Sequence, residues 1–284
     1  MSEVPAQFQA VIDDWRPGPE TVHGELGLFP AQALAALLDS PLPVAGSALA
    51  PLWSEVYLRP PRTMDELGPD GHPRADTLVP PLAQRRRMFG GGRVTVTGPL
   101  RIGEQATRRS SVKDVRVREG RSGWLLLATE VHEYLVDERA RVTEERDIVY
   151  RLPSDVAAAP RTPPPAGLEG GQVVYRLEPD ERMLFCFSAL TYNAHRIHYD
   201  HRYAVEVEGH RDLLVHGPLL AIGAIEAAIR VTGGQPATVA YRLLHPCFPT
   251  SPVEFALMPA EGDSTRALGV QDGVAIVEAS LTWS

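Results

Sequence analysis

Cysteine is nearly absent from the chain. Only Cys186 and Cys247 occur in 284 residues, far apart and without metal-ligand spacing. A disulfide framework is therefore not expected, and a reducing compartment is. No run approaches the roughly 20 consecutive apolar residues that span a bilayer. The opening "MSEVPAQFQAVIDDW" lacks the basic-then-apolar pattern of a secretory signal, so a cytoplasmic protein with no membrane partner is expected. Positive charge is also in deficit: 28 Lys and Arg face 36 Asp and Glu, a net charge of −8. That argues against a nucleic-acid partner, which would need summed positive charge. No Gly-x-Gly-x-x-Gly or P-loop pattern is present, and "GGG" at 90–92 is too weak to mark a nucleotide site. What the chain does have is a hydrophobic fraction of 44%, enough for a buried core in one large domain or two smaller ones.

Proline and glycine concentrate in "LPSDVAAAPRTPPPAGLEGG", residues 152–171, which can continue neither helix nor sheet. The chain thus divides into residues 1–152, a linker at 153–171, and residues 172–284. In the first part "PAQALAALLDS" (30–40) predicts a helix. Strand-like runs follow at 92–100, 105–119, 123–136 and 140–152, rich in Val, Leu and Thr. In the second part "ERMLFCFSALTY" (181–192) reads as a strand. "GPLLAIGAIEAAIRVTGG" (217–234) then predicts a helix apolar on nearly every side, hence buried. Strands are expected at 237–248, 252–259, 265–271 and 274–283. Each half reads as a helix followed by an antiparallel sheet, and a sheet wrapped around its helix hides that helix. The expected class is α+β, two tandem copies of one module.

The chemistry concentrates in "FSALTYNAHRIHYD" (187–200), and five of the nine histidines fall between His195 and His216. His195, His198 and His201 are spaced by three, as one helical face of a zinc site would require. However, no helix start precedes them and no HExxH pattern is present, so no metal is expected. The other reading makes 193–198 a loop leaving a strand end. Asn193 and His198 could then face one cavity and hold a water between them, the imidazole taking and returning its proton. "HGPLL" (216–220) adds Gly217 at the start of the buried helix, where free N–H groups can receive developing negative charge. Base plus oxyanion site is what proton transfer beside a thioester carbonyl needs.

These residues, with "VHGPLLAIGAIEAA", resemble the MaoC-like hotdog hydratases of the (R)-specific enoyl-thioester hydratase 2 group. That family carries a Gly-Asp-x-Asn-Pro-x-His motif. Here Tyr192 stands at the glycine, Asn193 at the catalytic aspartate, His195 at the asparagine, Arg196 at the proline, and His198 retains the catalytic histidine. The substituted form is similar to a subgroup of mitochondrial type 2 hydroxyacyl-thioester dehydratases and bacterial mesaconyl-C4-CoA and itaconyl-CoA hydratases. "PLWSEVYLRPPRTMDELGPDGHP", "VPPLAQRRRMFGGGR", "PLRIGEQATRRSSVKDVRVREGRSG" and "EERDIVYR" carry the likeness through the first half.

The resemblance implies a double hotdog with a non-catalytic, pocket-lining first module and a catalytic second one. It implies water addition to, or removal from, an α,β-unsaturated acyl-CoA, with a branched dicarboxylyl-CoA as the best specific expectation. The CoA thioester is then the substrate and no cofactor is expected; family members often pair, which makes a homodimer a candidate assembly. Asn193 cannot take a proton as an aspartate can, so it would orient the water and His198 would be the proton carrier. Asp200 is a candidate orienter of an imidazole. Tyr192, His195, Arg196, Tyr199 and His216 are candidates for substrate contact. Arg85, Arg86, Arg87 and Arg93 are candidates for the CoA phosphates, with a solvated charge run as the alternative. Two rivals stay open: a non-catalytic acyl-thioester-binding hotdog protein, and a thioesterase using Glu226 of the buried helix.

Overall fold

The halves expected from the sequence are joined edge to edge in one sheet. The computed structural model describes residues 3–74, 76–82, 85–120, 123–152, 165–259 and 263–283. Most of the expected linker, 153–164, lies outside the described residues. A short helix α1 (Ala6–Asp14) precedes β1 (Glu20–Glu25), α2 (Leu28–Leu37), β2 (Arg86–Val96), β3 (Gln105–Gly120), β4 (Gly123–Val136) and β5 (Arg139–Arg151). Then follow β6 (Gln172–Leu177), α3 (Glu181–Thr191), α4 (Gly217–Thr232), β7 (Pro236–Leu243), β8 (Val253–Leu257), β9 (Ser264–Gln271) and β10 (Val274–Trp283). The strands form a ten-stranded antiparallel sheet ordered β1-β3-β4-β5-β2-β7-β10-β9-β8-β6. Among the described residues no helix is long and apolar enough to cross a membrane.

Helix α4 is buried as expected. Every residue from Leu219 to Ala228 is buried, packed against the strands of the second half. Gly223 allows the approach, since a Cβ there would stand 2.5 Å from the ring of Phe255. Helix α2 buries Ala31, Leu34 and Ala35 under the first half, and one hydrophobic cluster runs continuously through both halves.

Three differences from the sequence reading have physical causes. Residues 181–191 form a helix, not a strand. Asp180 caps it by accepting the Met183 N–H at 2.9 Å, and Leu184, Phe187, Ser188 and Thr191 are buried at helical spacing. A strand, β1 or β6, also precedes the sheet-packed helix of each half; both lie at the sheet's outer edges, where one-sided burial leaves few apolar residues to signal them. Finally, β2 begins at Arg86, not at 92, so part of the arginine run belongs to the sheet.

The glycine run in β2 serves the seam. β2 pairs with β7 through Gly91↔Arg242 and Gly92↔Tyr241, and its pairing with β5 shifts register between Phe89 and Gly91. A Cβ on Gly92 would meet the Glu145 carbonyl oxygen at 2.3 Å, and Gly91 holds φ at +141°. A side chain at Gly92 would push β2 off β5, and one at Gly91 would meet the Tyr241 carbonyl oxygen of β7 at 2.3 Å and force the halves apart. Gly92→Ala is expected to destabilise the fold by about 1–3 kcal/mol, the usual cost of overpacking, read as a lower urea midpoint at unchanged slope.

Candidate active site

The polar stretch 192–200 leaves a helix end. Tyr192 terminates α3 in the left-handed region (φ 50°), and the next N–H, of Asn193, bonds back to Ser188 O at 2.9 Å. Asn193 Oδ1 then accepts the His195 N–H at 3.0 Å, closing a short turn. Residues 196–198 make one 3-10 turn, which turns His198 inward until it is only 8% exposed.

A loop of the first half clamps this turn. Arg196 N–H bonds to Asp70 O at 2.9 Å, and Gly71 (φ +90°) passes so close that a Cβ would lie 1.7 Å from Ala194 O. Only glycine fits there.

Four imidazoles gather behind the turn. His198 lies stacked on His216 with centroids 3.6 Å apart, His195 stands edge-on to His198 at 5.6 Å, and His72 lies 3.9 Å from His195. The Leu214 carbonyl can only accept, so its 2.8 Å contact with His198 Nδ1 places the proton on Nδ1. That leaves Nε2 as the ring's proton acceptor. His216 bonds through Nε2 to Ser188 Oγ at 2.8 Å and is the residue before Gly217, so the His198 ring rests on the entrance of α4. Burial pushes the His198 pKa down to about 4 and the His195 pKa to about 2, the latter helped by His72 and His198; His216 falls well below 6.5 through burial too. At neutral pH all are uncharged. The arrangement can therefore take a proton beside a helix start whose first amides have no partner within the helix.

These groups open on a cavity of about 990 Å3 between the halves. Asn193, His195, His198, His216, Gly217, Tyr192 and Tyr199 all line it, as do Arg85, Arg86 and Arg87. The Gly217 position is tight: a Cβ would lie 2.3 Å from Leu243 Cδ1 and 3.0 Å from Phe89 Cδ1.

Several expected residues sit elsewhere. Arg93 does not line the cavity; it pairs with Glu145 and Asp147 on the sheet's other face, both at 2.8 Å. Arg196 is absent from the lining also, held by Asp200 at 2.7 Å and by the Tyr203 ring. Asp200 orients no imidazole: it binds Arg196 and accepts the Tyr203 N–H at 3.0 Å, and the Leu214 carbonyl orients His198 instead. His201 lies exposed near Asp212, away from His195 and His198, so the three-residue spacing makes no common face. Among the described residues, those whose donor atoms could share an ion are Asp70, His72 and His195, within 4.8 Å of one another. In that group the His72 Nδ1 already faces Asp70 Oδ2 at 3.1 Å. Glu226 is bound by Ser40 Oγ and Trp53 Nε1, at 3.0 and 3.1 Å, and lies outside the cavity lining, so it is a buried tie to the first half.

Sequence reasoning missed Ser188, the Leu214 carbonyl and the loop at 70–72. It also missed a polar cluster on the concave face of the first half, built on Arg108, His132 and Arg146. The last carried a signal: Glu130 and His132, like Glu144 and Arg146, alternate in register on β4 and β5, polar residues on what burial makes the inner face.

A sheet in two helix-bearing halves with this pocket between them defines a double hotdog of the MaoC-like class. A MaoC-like dehydratase from Phytophthora capsici superposes with a TM-score of 0.68 at 14% identity, covering 96% of this chain and 98% of that one. A double-hotdog protein of Mycobacterium tuberculosis gives 0.59 at 15%, over 95% and 96%. Residues 53–249 match the model of the family described as hydroxyacyl-thioester dehydratase type 2. The chain belongs to that family and is a hydro-lyase. It is 38% identical, over 86% of its length and 88% of the relative's, to mesaconyl-C(4)-CoA hydratase of Chloroflexus aurantiacus. To the mitochondrial hydroxyacyl-thioester dehydratase type 2 of Saccharomyces cerevisiae it is 24% identical, over 78% and 81%.

Buried imidazoles with depressed pKa values bind protons more readily in the unfolded chain than in the fold. Stability is therefore full above pH 6.5 and falls as pH drops toward the folded value of about 4 for His198. Unfolding free energies measured by urea between pH 7.5 and 4.5 are expected to decline, and His198→Gln to decline less steeply.

Proposed function

We propose that the protein hydrates, or in reverse dehydrates, an α,β-unsaturated acyl-CoA, and that its acyl group is a branched dicarboxylyl such as mesaconyl-C4 or itaconyl. The observation that carries this is the shared cavity of His198 and the Gly217 start of α4, with His198 Nε2 left free to accept by the Leu214 contact.

The thioester carbonyl oxygen would lie at the start of α4, facing the Gly217 N–H. Pro218 has no N–H to offer, and the helix dipole favours charge developing on that oxygen. A water held by the Asn193 side-chain N–H2 group adds its oxygen to the β carbon while His198 Nε2 takes its proton. Electron density moves through the former double bond onto the carbonyl oxygen. The imidazolium then returns the proton to the α carbon on the same face, giving syn addition and restoring neutral His198. The low pKa of His198 makes its imidazolium a strong acid, which suits delivery to carbon. Because only proton transfer and charge stabilisation are used, the CoA thioester is substrate and the step asks for no cofactor.

Arg86, exposed at the cavity rim, and Arg85 are the cations offered to the CoA phosphates. The same convergence argues against a purely binding role, since a binder has no use for a base beside an oxyanion site. The thioesterase reading loses its carboxylate, because Glu226 is held by Ser40 and Trp53.

A panel of straight, branched and dicarboxylic enoyl-CoAs, followed by loss of the conjugated-thioester absorbance, tests the reading. His198→Ala is expected to lower kcat about 10²–10⁴-fold, the usual worth of a general acid–base, with its circular dichroism unchanged; near-normal turnover would refute the assignment. In the wild type the acid limb of kcat/KM should lie well under the ordinary histidine value of 6.5. Asn193→Asp is expected to keep partial activity and to move that limb, because a second base enters. An unmoved limb would remove Asn193 from the water site.

A further inference from the structure

The concave face of the first half holds charge where a core would ordinarily be apolar. Glu55, Arg108, Glu130, His132 and Arg146 are all less than 9% exposed, and all line the cavity that His198 lines. Most of the cations there have carboxylate partners. Arg146 lies between Glu55 and Glu144, Arg59 against Glu55, and Arg87 stands 3.7 Å from Glu130. Arg108 differs. It is 4% exposed, and its guanidinium donates to two neutral acceptors, Leu58 O at 3.2 Å and His132 Nδ1 at 3.0 Å. Its Nε is buried with no hydrogen-bond partner, and among the described residues it forms no ion pair. Counted together, Arg59, Arg87, Arg108 and Arg146 set four cations against the three carboxylates Glu55, Glu130 and Glu144.

His132 completes the arrangement. A guanidinium can only donate, so Nδ1, which also meets Ser110 Oγ at 2.8 Å, is the acceptor and the ring proton sits on Nε2. That Nε2 is likewise buried without a hydrogen-bond partner; Glu130 Oε2 lies 3.4 Å away. Burial, then Arg146 and Arg108, hold the ring well below pKa 6.5, so it adds a donor and no charge. Two neighbouring N–H donors, one on a buried cation that feels Glu55 only at longer range and forms no direct ion pair, make a costly arrangement unless an anion arrives to accept them.

We infer that Arg108, with His132 Nε2–H beside it, is the subsite for a second carboxylate carried by the acyl group, the end remote from the thioester. The inference rests on the acyl-CoA reading above and deepens it. Bound there, the carboxylate would accept from the guanidinium edge and the imidazole, and neutralise the surplus charge. A substrate with a methyl in its place would leave the cation unanswered, so the wall discriminates as well as attracts.

The test uses saturated thioesters, which are not turned over. Dissociation constants of succinyl-CoA and butyryl-CoA are measured by calorimetry for the wild type, Arg108→Met, Arg108→Gln and Arg108→Lys. In the wild type, succinyl-CoA is expected to bind at least about 30-fold more tightly, in line with a buried charge-paired contact. That ratio should fall toward one in the Met and Gln variants and be partly kept in the Lys variant. A wild-type ratio near one overturns the inference, as does a ratio unchanged by substitution. Parallel weakening of both thioesters also overturns it, since Arg108 would then serve the CoA phosphates. Failure of all three variants to fold overturns it too, by making Arg108 a structural cation. Should the hydration panel fail while the ratio collapses as expected, the subsite stands and the assigned reaction does not.

Discussion

Helix α4 offers water no face along its middle turns, and the remaining architecture follows from hiding it. Residues 219–228 are buried on all sides, so the second half must close its strands around them. A helix so enclosed has free backbone groups only at its ends. Its N-terminal end opens toward the first half, where Gly217 keeps the entrance narrow and His216 supports His198. The hydrophobic effect thus fixes the place at which unpaired N–H groups, the strongest local source of positive potential in an uncharged backbone, meet the base.

The first half supplies what that end lacks. The seam between β2 and β7, made possible by Gly91 and Gly92, brings the concave face of one half to the helix entrance of the other. Gly71 and the Asp70 carbonyl press on the turn that carries His198. The cavity therefore has a neutral, imidazole-rich wall and a charged, arginine-rich wall. The two suit different parts of one elongated ligand: the neutral wall a reaction that moves a proton, the charged wall a group that arrives already ionised.

The helix at 217–232, the long strands of the first half and the polar stretch at 193–198 were legible because each rests on local periodicity or on chemistry held within a few residues. Residues 181–191 were misread as a strand, since "MLFCF" is apolar in succession; the cap at Asp180 and the spacing of Leu184, Phe187 and Thr191 were the stronger signals. The metal-like spacing of His195, His198 and His201 dissolved once the chain took a single 3-10 turn there. Arg93 left the pocket because consecutive strand residues face opposite sides, and its side shows Glu145 and Asp147.

Composition and pattern by themselves determined the class of the molecule: an α+β protein with one fully buried helix, and a histidine-rich polar stretch ahead of it in the chain. Those are properties of short segments, and short segments carry their own periodicity. Only the tertiary structure decided which nitrogen of His198 holds the proton, that Asp200 serves Arg196, and that Arg108 faces the cavity with no direct ion pair among the described residues. Each depends on groups far apart in sequence, such as Leu214 beside His198 or His132 beside Arg108. A titratable group's role is set by the nearest donor, acceptor or charge in space, which chain order does not give.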